Sequence, residues 1–400
     1  MSGQSPANVN AISRKTSEGD CRVSHIRSFL AMTVGNIFKR CFGVRDLLDK
    51  AKFDKETGKH KRRESVTEYT LVKIMESEIC KVAVIGVGNI GYHHCRNFNR
   101  INEAKLVAVA DIDPQRGKSV AQKFGCHYYL DLQELIKWEH PDAISIATPT
   151  STHYEIARML LFKGIHVLVE KPITTQPEEI EKLISIADNK NLILTVGHVE
   201  RFNPALQRLK VLIHDGELGE ITNIMARRLG GYPSKLTDVG VYYDLAVHDL
   251  DIFYYLLQQI PKNIRVHKLN VFSEKFDDST TIFAEYENTN GIIQVNWITP
   301  VKIRQLEITG TRGYAELNYI NQSLSLYERN VNPDDFVEQD FHEFLRKYGS
   351  LTKKEVSIEK AEPLYLELRN FVRSIKGSEQ LVVKPNEVLI TMKIMKQYDH

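Results

Sequence analysis

From position 81 onward the chain alternates short apolar runs with amphipathic segments. Residues 81–85, 106–110, 143–147, 167–169 and 192–196 are almost wholly apolar, as expected of strands buried on both faces. Between them, 90–100, 114–124, 131–138, 153–163 and 177–189 read as helices. Strands alternating with helices predict a parallel sheet covered on both sides, a doubly wound α/β domain over 79–198.

Beyond residue 200 the rhythm changes. A helix is predicted over 204–213, opened by Pro204, whose missing N–H is harmless at that position. A strand at 221–228 and a helix at 243–257 follow. Then come strands at 264–272, 280–287, 291–297, 303–310, 313–319 and 324–328, with tight-turn sequences at 288–291 and 310–313. Helices at 361–376 and 385–397 close the chain. Residues 199–400 therefore predict an α+β domain with a large open, mostly antiparallel sheet, whose last helices pack back on the first domain. Alternating residues Ile282, Ala284, Ile293, Val295 and Trp297 are expected to supply apolar side chains to both faces of that sheet. Such a sheet buries itself against a copy, which predicts a homodimer or homotetramer.

Residues 1–78 lack this periodicity. They hold 15 Lys/Arg against 10 Asp/Glu, so of a whole-chain charge of +2 the remainder carries 2 − 5 = −3. They read as a weakly ordered extension, partly helical around 44–53, with a basic cluster at 59–63. The apolar stretch 29–38 is interrupted by Thr33, Gly35 and Asn36 and lacks the small-residue cleavage site of a signal peptide. A dispensable tail and a targeting or partner-binding arm both remain open for it.

The balanced charge argues against a dedicated nucleic-acid binder. With 42% hydrophobic and 26% charged residues the composition is that of a globular protein. No run approaches the roughly 18 apolar residues of a membrane helix. Five cysteines, none in a metal-type CxxC pair, predict neither a disulfide scaffold nor a bound metal. They fit a reducing, cytoplasmic setting.

Candidate chemistry begins at Gly86-Val87-Gly88-Asn89-Ile90-Gly91. This G-x-G-x-x-G follows an apolar strand and opens a helix. Gly86 permits the turn, Gly88 admits a pyrophosphate to the backbone, and Gly91 lets helix and strand pack. Asn89 and Ile90 lie at the helix start, whose free N–H groups receive phosphate. Asp111, at the end of the second strand, would bind both adenosine ribose hydroxyls and repel a 2′-phosphate, favouring NAD over NADP; Arg116 weighs the other way. Downstream, Glu170-Lys171-Pro172 ends a buried strand at the sheet edge where ligands bind. Asp244 and His248 sit four apart on a predicted helix. A histidine takes the proton of an alcohol as hydride leaves carbon, an ammonium stabilises the oxygen, and Asp244 orients either group. His93 and His94 read as solvent-facing or packing residues, one of them able to touch phosphate. Tyr242 is expected to reach the cleft.

Together these motifs resemble the glucose–fructose oxidoreductase/inositol dehydrogenase (Gfo/Idh/MocA) family over residues 79 to about 398. The resemblance implies an N-terminal Rossmann domain, NAD, and Lys171, Asp244 and His248 as the catalytic set. It implies that Thr148, Pro149 and His153 form a cofactor turn, with Thr150 where the family has Asn, and that Glu170 and His198 lie by the cofactor. For His198 a core position is the equal alternative. The segments 197–204, 216–219 and 238–241 look like the UDP-N-acetylglucosamine 3-dehydrogenase branch. That likeness implies a nucleotide-sugar substrate oxidised at C3, the product feeding an aminotransferase. Arg201, Arg227 and Arg228 are then candidate diphosphate ligands, each with a surface charge or structural ion pair as its alternative, and Tyr232 would stack on uracil or line the sugar pocket. A free sugar or polyol dehydrogenase and a catalytically silent NAD-binding regulator are the competing readings. A regulator of that kind typically loses the lysine or the histidine, and this chain keeps both.

Overall fold

A computed structural model describes residues 79–232, 239–328, 342 and 353–399. The predicted extension 1–78, with its helix around 44–53, lies outside the described residues, as does Asp238.

Sheet A is six parallel strands: β1 (Cys80–Ile85), β2 (Ala104–Ala110), β3 (His127–Tyr129), β4 (Ala143–Ile146), β5 (His166–Val169) and β6 (Leu194–Val196), in the order β3-β2-β1-β4-β5-β6. The connecting helices are α1 (Asn89–Phe98), α2 (Pro114–Phe124), α3 (Leu132–Glu139), α4 (Thr150–Phe162) and α5 (Pro177–Asn189). Their ends follow local chemistry. Asp113 caps α2 by accepting the amides of Gln115 and Arg116, and Asp131 caps α3 in the same way. Gly125, at φ 67°, ends α2 in the left-handed conformation that glycine adopts without strain. β3, three half-exposed residues long, carries too little apolar patterning to be seen in sequence.

A 3-10 turn (Val199–Phe202) and α6 (Pro204–His214) lead into sheet B. Its strands are β7 (Ile221–Leu229), β8 (Asn263–Leu269), β9 (Ser279–Glu285), β10 (Asn290–Asn296), β11 (Ile303–Gly310), β12 (Gly313–Asn318), β13 (Ser323–Glu328) and β14 (Lys353–Val356). The order is β14-β13-β12-β11-β7-β10-β9-β8, antiparallel except between β7 and β10. β14 is a polar edge strand that hydrophobic patterning could not reveal. The predicted helix at 243–257 is two segments, a π turn (Tyr242–Ala246) running into α7 (Val247–Leu257). The last helices are α8 (Pro363–Ile375) and α9 (Pro385–Gln397).

Period-two alternation divides sheet B into two faces. Ile224, Ala226 and Arg228 of β7, Ile282 and Ala284 of β9, Ile293 and Val295 of β10, and Leu306 and Ile308 of β11 are all buried. Ile282, Ala284, Ile293, Val295 and Trp297 therefore share the inner face, which corrects the expectation that they serve both. The outer face carries Met225, Phe283, Ile292, Tyr314 and Tyr327, partly or fully exposed.

The apolar interior has two bodies. One joins one side of sheet A to the inner face of sheet B and includes Val388, Met392 and Met395 of α9. The other covers the opposite side of sheet A, where Leu368, Phe371 and Val372 of α8 meet Val82, Val84, Cys95 and Phe98. The two C-terminal helices thus lie against α1 and α5 of the first domain.

Candidate active site

The loop after β1 needs two of its three glycines for steric reasons. Gly86 has φ +78°, and a Cβ there would lie 2.6 Å from the Ala147 carbonyl oxygen. A Cβ on Gly91 would lie 1.8 Å from Gly86 O. These two glycines are demanded by the turn itself. Gly88 is different: the nearest atom to its would-be Cβ is Arg116 Nη1 at 3.9 Å, so its bare backbone faces open space at the start of α1. Asn89 and Ile90 beside it are exposed. A cleft of about 600 Å³ runs along Val87, Gly88, Asn89, His93, Arg116 and Ser119. Open backbone at a helix N-terminus is what a dinucleotide diphosphate needs, so these residues fit NAD.

Asp111 sits at the end of β2 with its carboxylate held by the amides of Val87 and Asp113, each at 2.8 Å. Its position is set by the loop it serves. Arg116 lies between two acids, donating to Asp113 Oδ2 at 3.0 Å with Nε 3.5 Å from Asp111 Oδ2. The guanidinium that weighed toward NADP is thereby partly neutralised.

At the carboxyl edge of sheet A, Lys171 follows β5, joined to Pro172 by a cis peptide bond. Its ammonium donates to both the carboxylate Oδ1 and the backbone oxygen of Asp244, each at 2.7 Å. Asp244 lies in the π turn, whose start is pinned by Asp277: Asp277 O accepts the amide of Val241 and Asp277 Oδ2 that of Tyr242. A Cβ on Gly240 would lie 1.8 Å from Asp277 Oδ1, so glycine is required for that approach. His248 is in the first turn of α7, 9% exposed. Burial, and then the positive charges of Lys171, Arg228, His198 and Arg304, hold its imidazole well below the ordinary value of 6.5. A neutral, proton-accepting ring beside an ammonium and a carboxylate is equipped for general base chemistry.

Glu170 is tied into a second network. Its carboxylate accepts from His94 Nε2 at 2.9 Å and from the Lys171 amide at 3.2 Å, while His94 Nδ1 pairs with Ser145 Oγ at 2.7 Å. Burial would raise the Glu170 carboxyl, but the His94 hydrogen bond and the charges of His94 and Lys171 leave it below the usual range. His94 is fully buried and spans α1, β4 and β5 beneath the site. Only its closeness to the glycine loop hinted at this role, and Asp277 had no signal at all.

Several sequence expectations are corrected. His153 is buried with Nδ1 on Pro172 O at 2.9 Å and Nε2 on Thr148 O at 2.8 Å. Each ring nitrogen faces a backbone carbonyl, to one of which a neutral ring donates, so the buried side chain braces the Thr148-Pro149 turn against the Lys171-Pro172 segment. Thr148 and Pro149 remain at the surface of that turn. Arg201 is fully buried, doubly bonded to Asp251 at 2.8 and 2.7 Å and to Glu387, so it cannot receive a substrate phosphate. Arg227 lies on the outer face of sheet B with Gln305 and Glu307, away from Lys171, Asp244 and His248. Its neighbour Arg228 faces inward but is held by Asp249 and Glu200. Tyr242 is in the core, donating to Met395 O, and does not reach the cleft. His198, 2% exposed, packs its ring edge-on to His248 at 6.4 Å between centroids, with Nδ1 3.4 Å from Asp251; it is buried directly beside the candidate base. Tyr232, at the end of β7, is exposed and packs against Trp297 and Phe272.

Among the described residues no group of three or more His, Cys, Asp or Glu could hold a metal ion, and no helix is long and apolar enough to cross a membrane.

Comparison with known proteins shows the family to which this fold belongs. Residues 80–198 match an oxidoreductase family with an NAD-binding Rossmann fold, and 206–316 match the GFO/IDH/MocA C-terminal domain. The UDP-N-acetylglucosamine 3-dehydrogenase of Acidithiobacillus ferrooxidans is 30% identical over 63% of this chain and 78% of its own. Its solved structure superimposes with a TM-score of 0.69 at 26% identity, covering 80% of this chain and 96% of that one. The scyllo-inositol 2-dehydrogenase (NAD(+)) of Bacillus subtilis is also 30% identical, over 60% of this chain and 73% of its own. The chain is a member of the Gfo/Idh/MocA oxidoreductase family, with NAD as its cofactor.

Proposed function

We propose that this protein oxidises the 3-hydroxyl of UDP-N-acetylglucosamine, giving the 3-keto nucleotide sugar. The coarser activity, NAD-dependent oxidation of a CH–OH group on a sugar or polyol, follows from family membership. The observation that carries the reading is the union of Lys171 with Asp244 at 2.7 Å beside the buried, neutral His248. The finer substrate is supported by the Acidithiobacillus relative, similar along most of its length in sequence and in structure.

NAD bound along the glycine loop supplies the hydride acceptor. His248 takes the hydroxyl proton onto a ring nitrogen while the C–H bond of the same carbon breaks with its electron pair, and a carbonyl forms. The Lys171 ammonium hydrogen-bonds the oxygen and offsets the negative charge that grows on it. Asp244 holds that ammonium in place through two oxygens, so one donor of the three can turn to substrate. The product ketone suits a downstream aminotransferase. The partly apolar outer face of sheet B supports self-association as a dimer or tetramer, which sedimentation at micromolar concentration tests.

A panel of UDP-sugars and free polyols, followed by NADH absorbance with the keto position assigned by NMR, tests the reading. Turnover of UDP-N-acetylglucosamine with none of myo-inositol is expected. The reverse pattern overturns it in favour of the inositol type.

A further inference from the structure

The inner face of sheet B carries two cross-strand arginines, Arg228 on β7 and Arg304 on β11, directly paired in the register. They differ in one respect. Arg228 is bound by Asp249 and Glu200, and deeper in the core Arg201 is bound by Asp251 and Glu387. Such pairing is the rule for guanidinium groups withdrawn from water. Arg304 is half-buried, yet no carboxylate pairs with it among the described residues. Its Nη1 donates to two carbonyls, Leu229 O at 2.6 Å and Ile303 O at 2.8 Å. Those bonds fix the plane of the guanidinium and leave the other donors without a partner among the described residues.

Three facts place this group at the candidate active site. Burial and then the charge of Arg228 lower its guanidinium, Asp249, Glu200 and Asp244 act the other way, and it is itself one of the cations that lower His248. It stands on the catalytic face of the sheet, opposite the outer face that holds Arg227. Gly230 lies over it: a Cβ there would meet Arg304 Nη1 and Nη2 at 3.9 and 4.0 Å, and a Cβ on Gly231 would meet nothing within 4 Å among the described residues. The double glycine after β7 thus adds no side chain of its own over the guanidinium.

A planar donor fork held by carbonyls, short of a counter-ion and left uncovered by glycine, is built to receive an anion. We propose that Arg304 is the specificity-determining residue of the substrate site and takes phosphate oxygens of the substrate's diphosphate. It does the work that the sequence assigned to Arg201, Arg227 and Arg228. This rests on the nucleotide-sugar reading above and adds to it the residue that separates a charged substrate from a neutral polyol.

The test is calorimetric titration of UDP and, separately, NAD into the full-length protein and its Arg304→Ala and Arg304→Lys variants. The wild type is expected to bind UDP. Arg304→Ala should weaken UDP about thirtyfold or more, as for truncation of one partner of a desolvated charge pair, with NAD affinity unchanged. Arg304→Lys, keeping the charge but not the fork, should recover part of the loss. Unchanged UDP affinity in Arg304→Ala overturns the assignment while leaving the nucleotide-sugar reading intact. Equal loss of NAD and UDP shows a structural residue and also overturns it. Failure of the wild type to bind UDP removes both.

Discussion

The Lys171 ammonium and the Asp244 carboxylate, 73 positions apart in the chain, lie 2.7 Å from one another. The lysine leaves sheet A and the aspartate begins the helix over sheet B, so the contact joins the two halves at the place where chemistry is proposed. Lys171→Ala should lower kcat by about a thousandfold, within the range for loss of a positioned acid–base or charge-stabilising group, with NAD affinity intact. Asp244→Asn, which keeps shape and loses charge, should fall between Lys171→Ala and the wild type. Stopped-flow NADH formation alongside NAD titration separates these outcomes.

His248 titrates below the ordinary imidazole value because burial and neighbouring cations disfavour its charged form. As the base it must be neutral, so kcat/KM should hold its plateau below pH 6.5 and fall only at lower pH. The stability effect has the same sign. The unfolded ring binds its proton near 6.5 and the folded ring only at lower pH, so this contribution is full above 6.5 and is lost as pH drops toward the folded value. Rate–pH profiles and denaturation at several pH values check both; an acid limb at or above 6.5 would refute the assignment of His248 as base.

The glycines of the loop should separate into two classes. Gly91→Ala forces a contact with Gly86 O that backbone cannot relieve, and should cost stability as well as NAD binding. Gly88→Ala meets nothing closer than 3.9 Å and its φ of −67° suits alanine. It should unfold like the wild type while binding NAD poorly, since the added methyl occupies the diphosphate's approach. Thermal melts paired with NAD titration distinguish the two.

Removing Asp111 should cost NAD roughly 1.5–3 kcal/mol of binding, the worth of hydrogen bonds to a charged group, and should narrow the preference over NADP. The Asp111→Ser variant tests this through the ratio of kcat/KM for the two cofactors. An unaltered ratio would mean that discrimination lies elsewhere.

Arg201→Ala strands Asp251 in the core and should destabilise the fold by about 3–5 kcal/mol. Replacing both residues with apolar ones of similar size should restore much of that loss. Chemical denaturation of the single and double variants measures it.

Much of the dinucleotide half was legible because its strands are continuous apolar runs and its loop needs glycine for steric reasons. Lys171, Asp244 and His248 could be selected because each falls at an element end that a parallel sheet or helix start predicts. The arginines were misread for a physical reason. Their partners Asp251, Glu387 and Asp249 are brought in by tertiary packing, and nothing local marks Arg201 as buried. Arg227 and Arg228 differ by one step of the pleat, which decides the face and depends on register. The π turn at Tyr242–Ala246 and the Asp277 anchor come from non-local hydrogen bonds that periodicity does not encode.

The last two helices close the wall of a domain begun three hundred residues earlier. Leu368, Phe371 and Val372 fill one side of the first sheet, and the Val383 carbonyl accepts the hydroxyl of Thr195 on β6. A ribosome emitting this chain in order therefore leaves the nucleotide-binding half unsealed until residues 363–397 have followed it. Loss of α8 or α9 should therefore be felt first in the nucleotide-binding half that they cover.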